Sequence, residues 1–211
     1  MIAVIDYGRG NLGSVEKALG HLGMRAVVTQ DPRVIADARA LVLPGDGAFH
    51  DAMANLQTLG LLAPLRRALD GTRPFLGICL GLQMLFDRSE EGPTAGLGML
   101  AGEVVRFRAD GMTSPTGNKL KVPHMGWSPV RQTRAHPLWA GIPDGSRFYF
   151  AHSFHPVPAD PALTAGSTEY PSPFTCAIAR ANIFATQFHP EKSHRAGLQL
   201  LANFVAWDGQ S

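Results

Sequence analysis

Two stretches of this 211-residue chain hold the residue types that covalent chemistry needs. In FLGICLGLQML, residues 75–85, an apolar run enters Gly77-Ile78-Cys79-Leu80-Gly81, and a helix-like pattern follows. Small residues on both sides let a chain turn sharply from strand to helix and expose the side chain between them. This is the nucleophile elbow, with cysteine in place of serine. A helix N-terminus at that turn favours the thiolate, the reactive form. The competing reading of Cys79 is a small buried apolar side chain. In ATQFHPEKS, residues 185–193, a strand-like run over 183–188 leads into His189-Pro190-Glu191. A cysteine nucleophile needs a base, and the base needs an orienting acid. Pro190 stiffens the turn, so both side chains can face one site. Of the seven other histidines, His21, His50, His136, His155 and His194 lie in helical or loop-like sequence without an adjacent acid. They read as exposed or packing residues.

A third stretch suggests different chemistry. AVIDYGRGNLGS, residues 3–14, sets Gly8, Gly10 and Gly13 at G-x-G-x-x-G spacing after an apolar run. Asp31 follows about where a dinucleotide fold places its ribose-binding acid. The motif alone is weak, and the cysteine and histidine stretches offer a complete alternative site.

The elements that must position these residues can be read from periodicity. IAVID, RAVVT, ALVLPG and FLGICLG are strand-like runs, separated by segments with apolar residues at three- and four-residue intervals. Strands apolar throughout and joined by helices predict a parallel sheet covered on both faces. After residue 100, GEVVRF, RFYFAHSF, TCAIAR and IFATQFH predict shorter, partly antiparallel strands, and an amphipathic helix closes the chain over about 193–207. The stretch over 108–127, RADGMTSPTGNKLKVPHMGW, reads as one long loop. The expectation is one α/β domain over residues 1–211.

Composition narrows the function classes. Apolar residues at 45% and charged residues at 17% exclude a disordered chain. A net charge of +2, without single-sign runs, gives no footprint for nucleic acid or an anionic membrane. No apolar run approaches the ~20 residues that span a bilayer, and MIAVIDYG lacks a secretory pattern, so a cytoplasmic protein is expected. Cys79 and Cys176 lie outside any C-x-x-C motif, and Cys176, alternating with apolar residues, reads as core. The histidines lack metal-ligand spacing, so no metal and no cofactor are expected.

The elbow cysteine and the late His-Pro-Glu together resemble the class I, triad-type glutamine amidotransferases, whose Pro-Gly-rich oxyanion loop is matched by PGDGAF at 44–49. DYGRGNLGSV, KVPHMGWS, FYFAHSF, CLGLQMLFDRSEEG and FHPEKS, spread over the whole chain, resemble one branch, the glutaminase subunits of imidazole glycerol phosphate synthases. The resemblance implies a flavodoxin-like α/β fold and a triad of Cys79 as nucleophile, His189 as base and Glu191 as orienting acid. It implies oxyanion donors at Leu80 and in Gly45-Asp46-Gly47, and a glutamine pocket containing Gln83, His152 and Ser153. It also implies a partner, a (β/α)8-barrel cyclase subunit that receives the ammonia. Asn11, His124, Met125, Trp127, Tyr149 and Lys192 match the cyclase-facing side, where the DYGRGN turn also lies. For Trp127, plain core packing is the competing reading.

Three positions depart from the family pattern. Asp46 stands where many relatives are apolar, which leaves the resting shape of the oxyanion loop open. Ser128 stands where relatives often carry Asn, and the Met112–Lys119 segment is longer than a minimal version. Alternatives are a glutaminase serving pyridoxal phosphate synthase, a DJ-1-type peptidase or chaperone, and a non-catalytic scaffold. DYGRGN and PHMGW argue against the first. Leu80, where the second normally has histidine, argues against that one, and the intact Cys79, His189 and Glu191 argue against the third.

Overall fold

The computed structural model describes residues 1–108, 112, 113, 117 and 119–210. The first half alternates strand and helix: β1 (Ile2–Ile5), α1 (Leu12–His21), β2 (Ala26–Thr29), α2 (Pro32–Asp37), β3 (Ala40–Leu43), α3 (Phe49–Thr58), α4 (Leu62–Leu69), β4 (Phe75–Ile78) and α5 (Leu80–Gln83). Strands then dominate: β5 (Phe86–Ser89), β6 (Gly92–Ala95), β7 (Leu100–Arg106), β8 (His124–Pro129), β9 (Arg131–Gln132), β10 (Arg147–His152), β11 (Phe154–Pro158), β12 (Thr164–Glu169), β13 (Pro173–Arg180) and β14 (Ile183–Thr186). Helix α6 (His194–Ala206) ends the fold.

The main sheet runs β2-β1-β3-β4-β14-β13-β12-β9. From β2 to β14 every pairing is parallel, and from β14 outward every pairing is antiparallel. Its parallel part has the flavodoxin-like order. All four residues of β1, β3, β4 and β14 are buried, because helices cover both faces. Alternation along each strand divides the core. Ile2, Val4, Val42 and Leu76 meet Val15 of α1 and Leu201 and Phe204 of α6 on one face. Ala3, Ile5, Leu41 and Phe75 meet Ile35, Leu56 and Leu65 of α2, α3 and α4 on the other.

Parallel strands deliver their C-terminal ends to one edge of a sheet, so the segments after β1, β3, β4 and β14 collect there. That edge carries Tyr7–Asn11, Pro44–Gly47, Cys79 and Gln187–Glu191.

Several expectations need correction. The helical stretch over residues 48–71 is two helices, broken where Gly60 takes φ +68°. The helix after Cys79 is a single turn, because its next residues enter β5, so little macrodipole reaches the sulfur. PHMGWS is not loop: β8 pairs antiparallel with β10 in a separate two-stranded sheet. RFYFAHSF is two strands in two sheets, since β11 pairs with β7. Strand β14 belongs to the central sheet, parallel to β4 on one side and antiparallel to β13 on the other. Of the Met112–Lys119 segment, residues 114–116 and 118 lie outside the described residues, and Thr113 and Lys119 form a bridge.

Candidate active site

Cys79 has φ +55° and ψ −107°, a conformation that L-residues adopt only when the surroundings enforce it. The enforcement is visible on both sides. The Cys79 N–H donates to the Thr186 carbonyl at 2.7 Å, extending the β4–β14 pairing by one residue. A side chain at Gly81 would collide with the Leu43 carbonyl, and one at Gly77 would come within 3.0 Å of the Gly81 backbone and of Ala185. The two glycines are there for backbone approach. The turn leaves the thiol 6% exposed, at a cavity of about 300 Å³.

His189 reaches Cys79 across 110 residues of sequence because β14 lies beside β4. Its backbone is pinned twice. The His189 N–H donates to the Tyr149 carbonyl of β10 at 2.9 Å, and the Ser193 hydroxyl donates to the His189 carbonyl at 2.6 Å. The same hydroxyl accepts from the Tyr149 N–H at 2.9 Å. On the ring, Nδ1–H donates to Glu191 Oε1 at 2.8 Å, which leaves Nε2 as the nitrogen free to serve Cys79. Burial alone would lower the imidazole pKa. The Cys79 charge, the Cys79 and Glu191 hydrogen bonds and the Glu191 carboxylate outweigh it and push it up to about 10.

The cavity brings Cys79 and Leu80 together with Asp46, Gly47, Gln83, His152 and Ser153. Leu80 opens α5, so no carbonyl of its own helix reaches its N–H. Gly45 does not line the cavity; a side chain there would strike the Tyr7 hydroxyl and come within 2.9 Å of Leu80 Cβ. The Asp46 carboxylate accepts from the Gly10 N–H at 3.0 Å. The Asp31 carboxylate caps α2, accepting from Arg33 N–H at 2.8 Å. The Gly-rich turn is therefore tied to the loop after β3, and its would-be ribose acid is engaged in a helix cap.

Of the six residues that the resemblance assigns to a partner-facing side, the structure separates one. Asn11 and Lys192 are exposed, Met125 is 64% exposed, and Trp127 at 36% lies flat on His194 with its edge against Tyr149. Trp127 is thus not core. His124 is 2% exposed and faces inward, stacked between Phe150 and Tyr170. The alternation along β8 explains the difference, since Met125 and Trp127 share the face that His124 turns away from.

His124 and His152 form a polar chain whose protons are fixed by its ends. The Phe154 carbonyl only accepts, so His152 Nδ1–H donates to it at 2.8 Å. His152 Nε2 then accepts from His124 Nδ1–H at 3.0 Å, and His124 Nε2 accepts from the Ser128 hydroxyl at 2.9 Å. Desolvation lowers the pKa of both, His124 to about 4, so both rings are neutral near pH 7.

Sequence alone does not single out three participants, Ser193, Tyr7 and Gln187. Gln187 is fully buried and donates to Cys79 Sγ at 3.5 Å. The signal for Gln187 is an amide two residues before His189 in a mostly apolar strand-like run, on the same face at period two.

With this geometry established, comparison places the chain. Residues 3–207 match the family model for class-I glutamine amidotransferases, and that is the class to which fold and site belong. Two solved structures share the fold: PurLQS from Thermotoga maritima, with TM-score 0.71, 17% identity and 97% of each chain covered, and the glutaminase domain of Trypanosoma brucei CTPS, with TM-score 0.64, 15% identity and 98% and 94% covered. Within the class, the chain belongs to the imidazole glycerol phosphate synthase subunit HisH family. It is 59% identical to that subunit of Dechloromonas aromatica over 98% of this chain and 96% of the relative, and 54% identical to that of Chromobacterium violaceum over 99% and 98%.

Proposed function

We propose that this chain, read as one domain over residues 1–211, hydrolyses L-glutamine to glutamate and ammonia in the cytoplasm. The ammonia passes to a (β/α)8-barrel cyclase subunit, which uses it to form imidazole glycerol phosphate in histidine biosynthesis. The observation that carries the reading is the His189 ring, bonded through Nδ1 to Glu191 at 2.8 Å and held charged by Cys79, which itself lines a cavity of amino-acid size.

The Cys79 sulfur attacks the side-chain amide carbon of glutamine. The carbonyl oxygen becomes an oxyanion, held by the Leu80 N–H and by the Gly45-Asp46-Gly47 segment. His189 gives its proton to the amide nitrogen, ammonia leaves, and a γ-glutamyl thioester remains. His189 then takes a proton from water, which attacks the thioester, releases glutamate and restores the cysteine. Glu191 holds the imidazole tautomer and offsets its charge. Asn11, Met125, Trp127, Tyr149 and Lys192 supply the partner surface at the mouth of this site. Among the described residues no helix is long and apolar enough to cross a membrane, which suits transfer between two subunits in one compartment.

The test is glutamate release by the chain alone and with the cognate cyclase loaded with its nucleotide ligand, with Cys79→Ala as control. The expected result is activity that rises with the loaded cyclase and vanishes in the variant. Activity indifferent to the cyclase would overturn the partner, and activity surviving Cys79→Ala would overturn the nucleophile.

A further inference from the structure

We infer that Gln187 is a catalytic residue for the cysteine chemistry: its side-chain N–H donates to Cys79 Sγ and stabilises the sulfur when it carries negative charge. The inference rests on the reading of Cys79 as the nucleophile. It comes from a chain of hydrogen bonds in which each donor is determined by the one before.

The Phe154 carbonyl anchors the chain, since it accepts only. Gln83 approaches it at 3.0 Å, so the group facing it is the Gln83 amide NH2. The second hydrogen of that NH2 needs an acceptor, and it meets Gln187 Oε1 at 3.1 Å. With its oxygen so engaged, Gln187 presents its own NH2 to the sulfur at 3.5 Å. The opposite Gln187 rotamer would set its NH2 against that of Gln83, donor to donor, in a buried site, at the cost of an unmade hydrogen bond. His152 Nδ1–H fixes the same carbonyl from the other side.

Position gives the donor its effect. Gln187 is fully buried, and water has no access to it in competition with the sulfur. A hydrogen bond to an ionised acceptor in such surroundings is stronger than one to its neutral form. His189 lies two residues on and faces the same sulfur, while Phe188 between them packs into the core. The sulfur therefore has a cationic imidazole near it and one neutral, fixed hydrogen-bond donor. When His189 hands its proton to the leaving ammonia, only the neutral donor is unchanged. Gln187 thus holds the sulfur's geometry through the half-reaction in which His189 changes charge.

The experiment is the pH dependence of Cys79 alkylation by iodoacetamide in the free chain, followed at the Cys79 peptide, for the parent and for Gln187→Met, which keeps the volume and removes the donor. Fully buried Cys176 serves as the unreactive reference. The half-maximal pH is expected to rise by about one unit, which is about tenfold less thiolate at any pH below it. In the cyclase complex the glutaminase kcat is expected to fall about tenfold with KM within about twofold. A half-maximal pH unchanged within about 0.2 units overturns the inference. If Gln187→Met fails to fold, the parent chain decides by NMR of the Gln187 side-chain amide. Its proton shift is expected to follow the ionisation of Cys79 and to lose that dependence in Cys79→Ala, and a shift indifferent to Cys79 overturns the inference. Glutaminase activity surviving in Cys79→Ala would instead bring down the functional reading, an outcome the alkylation profile does not share.

Discussion

The carboxylate of Asp46 accepts a hydrogen bond from the backbone N–H of Gly10 at 3.0 Å, joining the turn after β1 to the loop after β3. The same two turns approach again where Gly10 would place a side chain 3.4 Å from Gly45. The segment that resembles a dinucleotide fingerprint is thereby a brace for the loop beside the nucleophile. Asp46→Ala is expected to speed hydrogen exchange of the Gly10 amide about tenfold, since a hydrogen bond to a charged acceptor is worth about 1.5 kcal/mol or more before solvent screening. Asp46→Asn, which keeps an acceptor, is expected to stay within about threefold of the parent. Equal exchange in all three chains would contradict the brace.

Tyr7 carries a buried hydroxyl without a hydrogen-bond partner among the described residues, and burial, Asp46 and Cys79 all hold it in the neutral form. Removing an unsatisfied group costs little, so Tyr7→Phe is expected to change unfolding free energy by less than about 0.5 kcal/mol in urea denaturation. Gly45→Ala is expected to cost about 1–3 kcal/mol through overpacking against the Tyr7 hydroxyl and Leu80. In the double variant part of that cost should return. Strict additivity would mean that the hydroxyl and Gly45 do not oppose one another.

His189 has a folded-state pKa of about 10 against 6.5 when unfolded, so its charge favours the native state. That contribution is fully present below pH 6.5 and is lost as pH rises through about 10. Urea unfolding between pH 6 and 11 should show falling stability across that window, and the slope should shrink in Cys79→Ala, which lacks the largest favourable cause. A Cys79→Ala chain with the parent slope would show that Cys79 is not what holds the proton.

Glu191 presents one oxygen to His189, and its side chain is 1% exposed. Glu191→Gln keeps the shape but removes the charge that orients and stabilises the imidazolium. Glutaminase kcat in the cyclase complex is expected to fall at least a hundredfold with KM within a few-fold. A loss expressed in KM alone would mean that Glu191 shapes the pocket rather than the base.

Trp127 and His194 stack at 4.9 Å with planes 2° apart on the exposed face that also carries Met125. Trp127→Ala is expected to weaken cyclase binding by at least tenfold in calorimetry, as large exposed aromatics that become buried dominate interfaces. The free chain should lose less than about 1 kcal/mol. His124→Ala should show the reverse pattern, because its ring is 2% exposed and packed between Phe150 and Tyr170.

What the sequence determined by itself is local. The elbow was legible because Gly77 and Gly81 flank Cys79 within five residues, and close backbone approach leaves room for nothing larger. His189 and Glu191 were legible because one proline separates them. The parallel half of the sheet was legible because strands covered on both faces must be apolar throughout. The tertiary structure decided what depends on pairing register. Whether β14 lies between β4 and β13, which is what brings His189 to Cys79, is a matter of long-range partners that no spacing records. The same holds for β8. With Gly126 at φ +138° and a run of six residues, it reads as loop until β10 pairs with it, and only that pairing turns His124 inward and leaves Met125 and Trp127 outside. Gln187 is the clearest case. A buried amide acquires chemical meaning only from the atoms it meets, and those of Gln83, Phe154 and Cys79 come from three segments that only folding brings together.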